Sequence, residues 1–206
     1  MYMEDLKKHF NFTLPEGVSE ELNFKMMKPW IQGKKTVLEI GFNTGYSAAF
    51  FIENGADKVV SFDICKYGYE EKAHEIIETN YPGKHTLIKG DSMKTVPEYP
   101  DEKFDFIFVD GFHWGEWPEA DIRNCLRFAH KDTVLCVDNM SFKVSSEILY
   151  KYNWPENKYY NVTDAWNKLV LEDVINPYSI DCMYDGDNKF PTCMAFGKYF
   201  TSYDKS

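Results

Sequence analysis

One stretch restricts the fold more than any other part of this chain: Thr36 to Cys65, TVLEIGFNTGYSAAFFIENGADKVVSFDIC. It opens with an apolar run, Val37, Leu38 and Ile40, which reads as a strand buried on both faces of a parallel sheet. Glu39 sits inside that run. A glycine turn follows, Gly41-Phe42-Asn43-Thr44-Gly45, and a helix begins there. A second apolar run, Val59, Val60 and Phe62, stops on Asp63. Strand, glycine turn, helix, strand and acid, in that order, bring a nucleoside-bearing ligand to the carboxyl ends of parallel strands.

The details of the unit select the ligand. A dinucleotide fingerprint needs G-x-G-x-x-G, so that backbone and helix N-terminus can cradle a pyrophosphate. Asn43 stands at the middle glycine position, which disfavours pyrophosphate. Glu39, just ahead of the first glycine, would repel phosphate and suit an ammonium or sulfonium. Asp63, at the tip of the next strand, is placed to accept hydrogen bonds from a ribose diol. A cation and a ribose without phosphate describe S-adenosylmethionine. Glu39-x-Gly41-x-x-x-Gly45 with Asp63 resembles the first two motifs of class I adenosylmethionine-dependent methyltransferases.

Length and charge narrow the partners. The 206 residues suffice for one α/β domain with a full core. Acidic residues exceed basic ones to give a formal charge of −10. Such a surface argues against a nucleic-acid substrate, which needs a basic face, and against anionic membranes. Five cysteines, Cys65, Cys125, Cys136, Cys182 and Cys193, are scattered without a C-x-x-C pair. They read as reduced, buried thiols in a cytoplasmic protein, and zinc is disfavoured. The N-terminus carries no apolar signal core, and no apolar run is long enough to span a membrane. A homodimer is compatible with this reading.

Residues 1–35 read as a helical lead-in, with Val18, Leu22, Met26 and Trp30 at four-residue spacing. Residues 36–206 read as the main domain. Strands are expected at 36–40, 58–63, 85–89, 104–110 and 133–138, with helices over about 45–54, 67–80, 117–130 and 142–151. Strand–helix alternation means a doubly wound, mostly parallel α/β sheet. A polar, aromatic loop follows at 152–157, then a helix near 162–173. Segments 178–184 and 192–200 flank Asp185-Gly186-Asp187-Asn188, a hairpin turn signal. The class I resemblance implies a seven-stranded, Rossmann-like sheet closed by this antiparallel hairpin.

Two further strands end in carboxylates. FDFIFVDGFHW delivers Asp110, and TVLCVDNM delivers Asp138-Asn139. On neighbouring strands these side chains form a hard, all-oxygen set suited to Mg²⁺ or Ca²⁺. The segments resemble metal-dependent O-methyltransferases of the catechol and caffeoyl-coenzyme A type, in which an Asp ends the fourth strand and Asp-Asn the fifth. GFNTGYSA, Gly41 to Ala48, is similar to their cofactor loop. The resemblance implies Asp110, Asp138 and Asn139 as metal ligands. It implies Glu39, Gly41, Phe42, Asn43, Gly45, Ser47, Asp63, Ile64, Asp91, Ser92 and Asp110 around the cofactor.

Catechol-type enzymes carry a lysine three residues after the first metal aspartate; this chain has His113. Asp-Gly-x-His is similar to another branch, which includes metal-dependent sugar O-methyltransferases. The expected activity is therefore metal-assisted methyl transfer to a small hydroxyl acceptor with adjacent oxygens, a catechol-like molecule or a sugar diol. Asp110 and His113 are the catalytic candidates, with His113 as base. Phe112, Trp114, Trp117, Tyr67, Tyr69, Trp154, Tyr159 and Tyr160 are candidates for shaping the acceptor side. The alternatives are a metal-independent transferase acting on a carboxylate or nitrogen, and a non-catalytic binding protein on the same fold.

Overall fold

A computed structural model of the chain describes residues 20–140, 161–184 and 192–200. It contains α1 (Glu20–Ile31), β1 (Thr36–Ile40), α2 (Tyr46–Glu53), β2 (Lys58–Asp63), α3 (Glu70–Asn80), β3 (His85–Lys89) and α4 (Ser92–Glu98). These are followed by β4 (Phe104–Val109), α5 (Trp117–Cys125), a 3₁₀ turn (Leu126–Phe128), β5 (Ala129–Val137), α6 (Val162–Leu171), β6 (Ile175–Met183) and β7 (Thr192–Tyr199). The expected helix at 142–151, the loop at 152–157, the turn at 185–188, Val18, Trp154, Tyr159 and Tyr160 lie outside the described residues.

The seven strands form one sheet in the order β3-β2-β1-β4-β5-β7-β6. β1 to β5 run parallel, and β7 runs antiparallel to both β5 and β6. This is the doubly wound, seven-stranded α/β sheet with a terminal antiparallel pair that the sequence implies. Alternation along each strand divides the core. Val37, Val59, Phe106 and Cys136 face α1, α2 and α3, while Leu38, Val60, Ile107 and Leu135 face α4, α5 and α6. Both faces are covered, which is why these strands read as unbroken apolar runs. Helix α1 is part of the first layer, because Met26, Met27 and Ile31 are buried in it.

Two boundaries differ from expectation by four residues or more, and one helix is new. The helix expected over 117–130 ends at Cys125, a 3₁₀ turn follows, and β5 begins at Ala129 rather than 133. Thr133 explains the early start. Its hydroxyl accepts from His130 N at 2.8 Å and donates to Phe104 O at 2.6 Å, extending the pairing with β4 around an irregular register. The short helix α4 has no apolar periodicity and was not expected. Asp91 caps it, its side chain accepting from Met93 N at 3.1 Å.

The cysteines require a correction. Cys182 of β6 and Cys193 of β7 stand directly opposite in the antiparallel register and are joined in a disulfide, their Cα atoms 4.2 Å apart. Spacing along the chain gave no sign of this, because strand register brings the two together. Cys125 and Cys136 are buried and unbonded, in line with the sequence reading; Cys65 is half-buried and also unbonded.

Candidate active site

The chain runs outward from β1 to β2 and β3, then returns to place β4 on the other side of β1. The carboxyl ends of β1 and β4 therefore flank the point where winding reverses, the place where open α/β sheets leave a crevice. Backbone pairing continues past the strand ends. Gly41 N donates to Phe62 O at 2.8 Å, Asp110 N to Ile40 O at 2.8 Å, and Asp138 N to Val109 O at 3.0 Å. This alignment holds Glu39, Asp63, Asp110 and Asp138 at adjacent strand ends, along one edge.

The turn after β1 is shaped by glycine and by Asp63. Gly41 has φ +92°, and a Cβ there would stand 2.0 Å from the Asp110 carbonyl oxygen. Only glycine lets the β1 and β4 ends approach so closely. Asn43 and Gly45 also adopt positive φ. Asp63 Oδ2 accepts from Phe42 N at 2.8 Å and from Asn43 N at 3.0 Å, and its Oδ1 accepts from Cys65 N at 2.7 Å. Asp63 is thus the half-buried clamp of the turn. Tyr69 donates to Asn43 Oδ1 at 2.8 Å and stacks on Tyr67. Ile64 and Tyr67 stand exposed beside it.

Glu39 is fully buried. Ser47 donates to its Oε1, and Ser61 donates to its Oε2 at 2.5 Å. Burial pushes its carboxyl up to about 8; the two serine hydroxyls oppose this, and the charges of Asp110 and Asp63 add to it. Glu39 therefore reaches the crevice through Ser47, which is half-buried at its wall. Once Glu39 is ionised, the Ser47 proton turns toward it, and Ser47 Oγ presents lone pairs outward that can accept from a cationic ligand group.

Asp110 and Asp138 come together across β4 and β5. Asp138 is buried, and burial, followed by the neighbouring charge of Asp110, holds its carboxyl well above the usual range. Its Oδ2 accepts from Asn23 Nδ2 at 2.7 Å, and the Asn139 backbone N–H acts on the same carboxyl to lower its value; among the described residues its buried Oδ1 has no hydrogen-bond partner within normal geometry. Asn139 beside it has φ +58°. Among the described residues no group of three or more His, Cys, Asp or Glu is arranged to hold a metal ion. The expected donors, Asp110, Asp138 and Asn139, follow the ends of β4 and β5. The orphaned, buried Oδ1 fits a hard cation, which would supply the missing partner.

His113 lies beside this pair, its Nε2 at 3.3 Å from Asp110 Oδ1. The loop carrying it is tied to the start of α6: Asn161 N donates to His113 O, and Gly115 N to Asn161 Oδ1, both at 2.8 Å. Phe112 is exposed and meets Trp114 and Trp117 at ring separations of 5.2 and 5.4 Å. Trp117 Nε1 also donates to Asp91 Oδ1 at 3.3 Å, linking this aromatic cluster to the Asp91-Ser92 corner.

Four site residues escape sequence reasoning. Asn23 reaches Asp138 from α1, 115 positions away, and is itself held by Thr192 Oγ1 of β7. Ser61 and His85 back Glu39 from β2 and β3. Asp121 of α5 is buried against Gly111, and burial pushes its carboxyl up to about 7. An acid inside the amphipathic pattern of α5 was the one available signal.

Comparison with known proteins agrees with this fold. The family described as "Methyltransferase domain" matches residues 38–140, and the chain belongs to that family. A protein of Arabidopsis thaliana named "Putative caffeoyl-CoA O-methyltransferase" is 31% identical over 111 residues, covering 51% of this chain and 47% of the relative. The chain thus matches less than half the length of that curated relative. Among solved structures, the O-methyltransferase from Bacillus cereus in complex with SAH superposes with a TM-score of 0.73 at 19% identity, covering 96% of this chain and 90% of that one. The O-methyltransferase TomG from Streptomyces achromogenes, in complex with SAM, gives a TM-score of 0.68 at 17% identity, covering 97% and 89%. These likenesses establish the fold.

Proposed function

We propose that this protein is an S-adenosylmethionine-dependent O-methyltransferase, assisted by a divalent cation, acting on a small molecule with adjacent oxygens. The observation that carries the reading is the buried Oδ1 of Asp138, without a partner among the described residues, beside Asp110 at the crevice walled by Gly41 and Ser47. The names of the similar proteins, O-methyltransferases with SAH or SAM in two solved structures, support methyl transfer to oxygen.

When bound, adenosylmethionine supplies an electrophilic methyl group, and a cation such as Mg²⁺ lowers the pKa of an acceptor hydroxyl. The chain's own residues do the rest. Gly41, Ser47, Asp63 and the Asp91-Ser92 corner bind and orient the cofactor; Asp110, Asp138 and Asn139 would hold the cation. His113 takes the acceptor's hydroxyl proton, and Asp110, beside its Nε2, steadies the imidazolium. Phe112 and Trp114 line the acceptor side and exclude water there.

A second reading rests on the same His113–Asp110 contact. The two residues form an acid–base pair without an ion, as a metal-independent transferase would require. One experiment separates the readings. Methyl transfer from labelled adenosylmethionine to catechols and sugar diols is measured with Mg²⁺, after chelation, and with Mg²⁺ restored. The cation-assisted reading expects loss on chelation, recovery with Mg²⁺, and an inactive Asp138→Ala enzyme that still binds adenosylhomocysteine by calorimetry. Full turnover in verified metal-free buffer would select the second reading.

A further inference from the structure

Behind Glu39 lies a line of side chains that the methyl-transfer reading leaves unused. β2 sets Ser61 directly beside Glu39 in the parallel register, and β3 sets His85 beside Val59, on the same face. His85 Nε2 stands 2.9 Å from Ser61 Oγ, and His85 Nδ1 stands 2.8 Å from His74 Nδ1 of α3. The line thus runs from half-buried His74 through buried His85 and Ser61 to fully buried Glu39.

Donor and acceptor rules fix its direction once Glu39 is ionised. A carboxylate only accepts, so Ser61 gives its proton to Glu39. Ser61 Oγ then accepts, and His85 Nε2–H is its donor. Burial, with His74 nearby, pushes His85 down to about 3 and keeps the imidazole neutral, so its Nδ1 carries a lone pair. His74 Nδ1–H is left to donate into that lone pair. Each hydrogen bond points toward Glu39, and aligned bonds of this kind strengthen one another in a dry interior. The other face of His85 stacks on Phe42 at a ring separation of 4.7 Å. Phe42 is the turn residue whose backbone N–H binds Asp63. His85 therefore touches both arms of the cofactor crevice, Glu39 by way of Ser61 and the glycine turn by way of Phe42.

We propose that His85 is a positioning residue of the cofactor site, which, backed by His74, directs Ser61 onto Glu39 and so holds the Glu39–Ser47 pair in its cofactor-accepting arrangement. The inference rests on the adenosylmethionine reading above. His85 meets no substrate atom and acts only through Ser61 and Phe42. Paired substitutions divide its two contacts. His85→Phe keeps a ring against Phe42 and removes the donor. His85→Gln keeps a donor for Ser61 and removes the ring.

Calorimetric titration of the full chain with adenosylhomocysteine at about pH 9, where Glu39 is ionised, alongside thermal unfolding of each variant, tests this. His85→Phe is expected to unfold cooperatively at a somewhat lower midpoint, since His74 loses its partner, and to bind roughly tenfold more weakly, the scale of one lost hydrogen bond near a charge. Ser61→Ala is expected to match it. His85→Gln is expected to stay within about threefold of wild type, a rescue that ring packing alone would not produce. Wild-type affinity in both His85→Phe and Ser61→Ala would overturn the proposal while leaving the cofactor reading intact. So would wild-type affinity in His85→Phe beside a weakened His85→Gln, since the stack rather than the donor line would then matter. If the wild-type protein itself fails to bind adenosylhomocysteine, the cofactor reading falls and the inference falls with it.

Discussion

At the scale of single residues, the site depends on carboxylates placed where water cannot reach them. Glu39 shows the consequence most directly. Its folded value of about 8 stands above the ordinary 4.5, with burial as the main cause. The native state therefore holds a proton that the unfolded chain has released between those values. Stability from this group is full below about pH 4.5 and is lost as pH rises through about 8. The groups facing Glu39 are Ser47, Ser61, Asp110 and Asp63, with His85 behind Ser61. Denaturant midpoints of the wild type are expected to fall between about pH 5 and about pH 9, and the fall should shrink in Glu39→Gln, which cannot titrate. An equally steep fall in that variant would assign the dependence to another group.

At the scale of elements, the decisive feature is how closely the β1 turn approaches the end of β4. Gly41 and Gly33 separate two effects of a glycine. Both have positive φ, but a Cβ on Gly33 meets nothing within 4 Å, whereas one on Gly41 meets the Asp110 backbone at 2.0 Å. Gly33→Ala is expected to lose about 1–2 kcal/mol of stability, the left-handed backbone penalty alone. Gly41→Ala must also push β1 and β4 apart. It is expected to lose more stability in chemical denaturation and to abolish adenosylhomocysteine binding. Equal losses in the two variants would show that the crevice tolerates the displacement.

At the scale of the whole molecule, the terminal pair β6 and β7 closes the sheet next to β5, and Asn23 of α1 bridges that end to Asp138 through Thr192. The Cys182–Cys193 disulfide spans the same hairpin, with a sequence separation of 11. In the chain-entropy account, closing a loop of that size stabilises by about 2–3 kcal/mol. Reduction, or Cys182→Ser with Cys193→Ser, is expected to lower the thermal midpoint by several degrees while adenosylhomocysteine affinity holds. An unchanged midpoint would mean that the thiols are free in solution. No helix among the described residues is long and apolar enough to cross a membrane.

The sequence by itself determined the strand–turn–helix units and the acids at their tips. Glu39, Gly41, Asp63, Asp110 and Asp138 each sit within a few residues of the apolar run that carries them, so the signal is local. The doubly wound sheet was equally legible, because strands covered on both faces must be apolar throughout. Tertiary structure alone decided which distant residues meet those acids. Ser61 and His85 support Glu39 because β2 and β3 pair in one register, and a shift of a single residue would turn both to the opposite face. Asn23 meets Asp138, and Cys182 meets Cys193, for the same reason: strand order and helix packing bring together positions that spacing along the chain leaves unrelated. Burial did the remainder, since the same carboxyl on Glu39 would have an ordinary acidity in water and gains its raised value only inside the sheet.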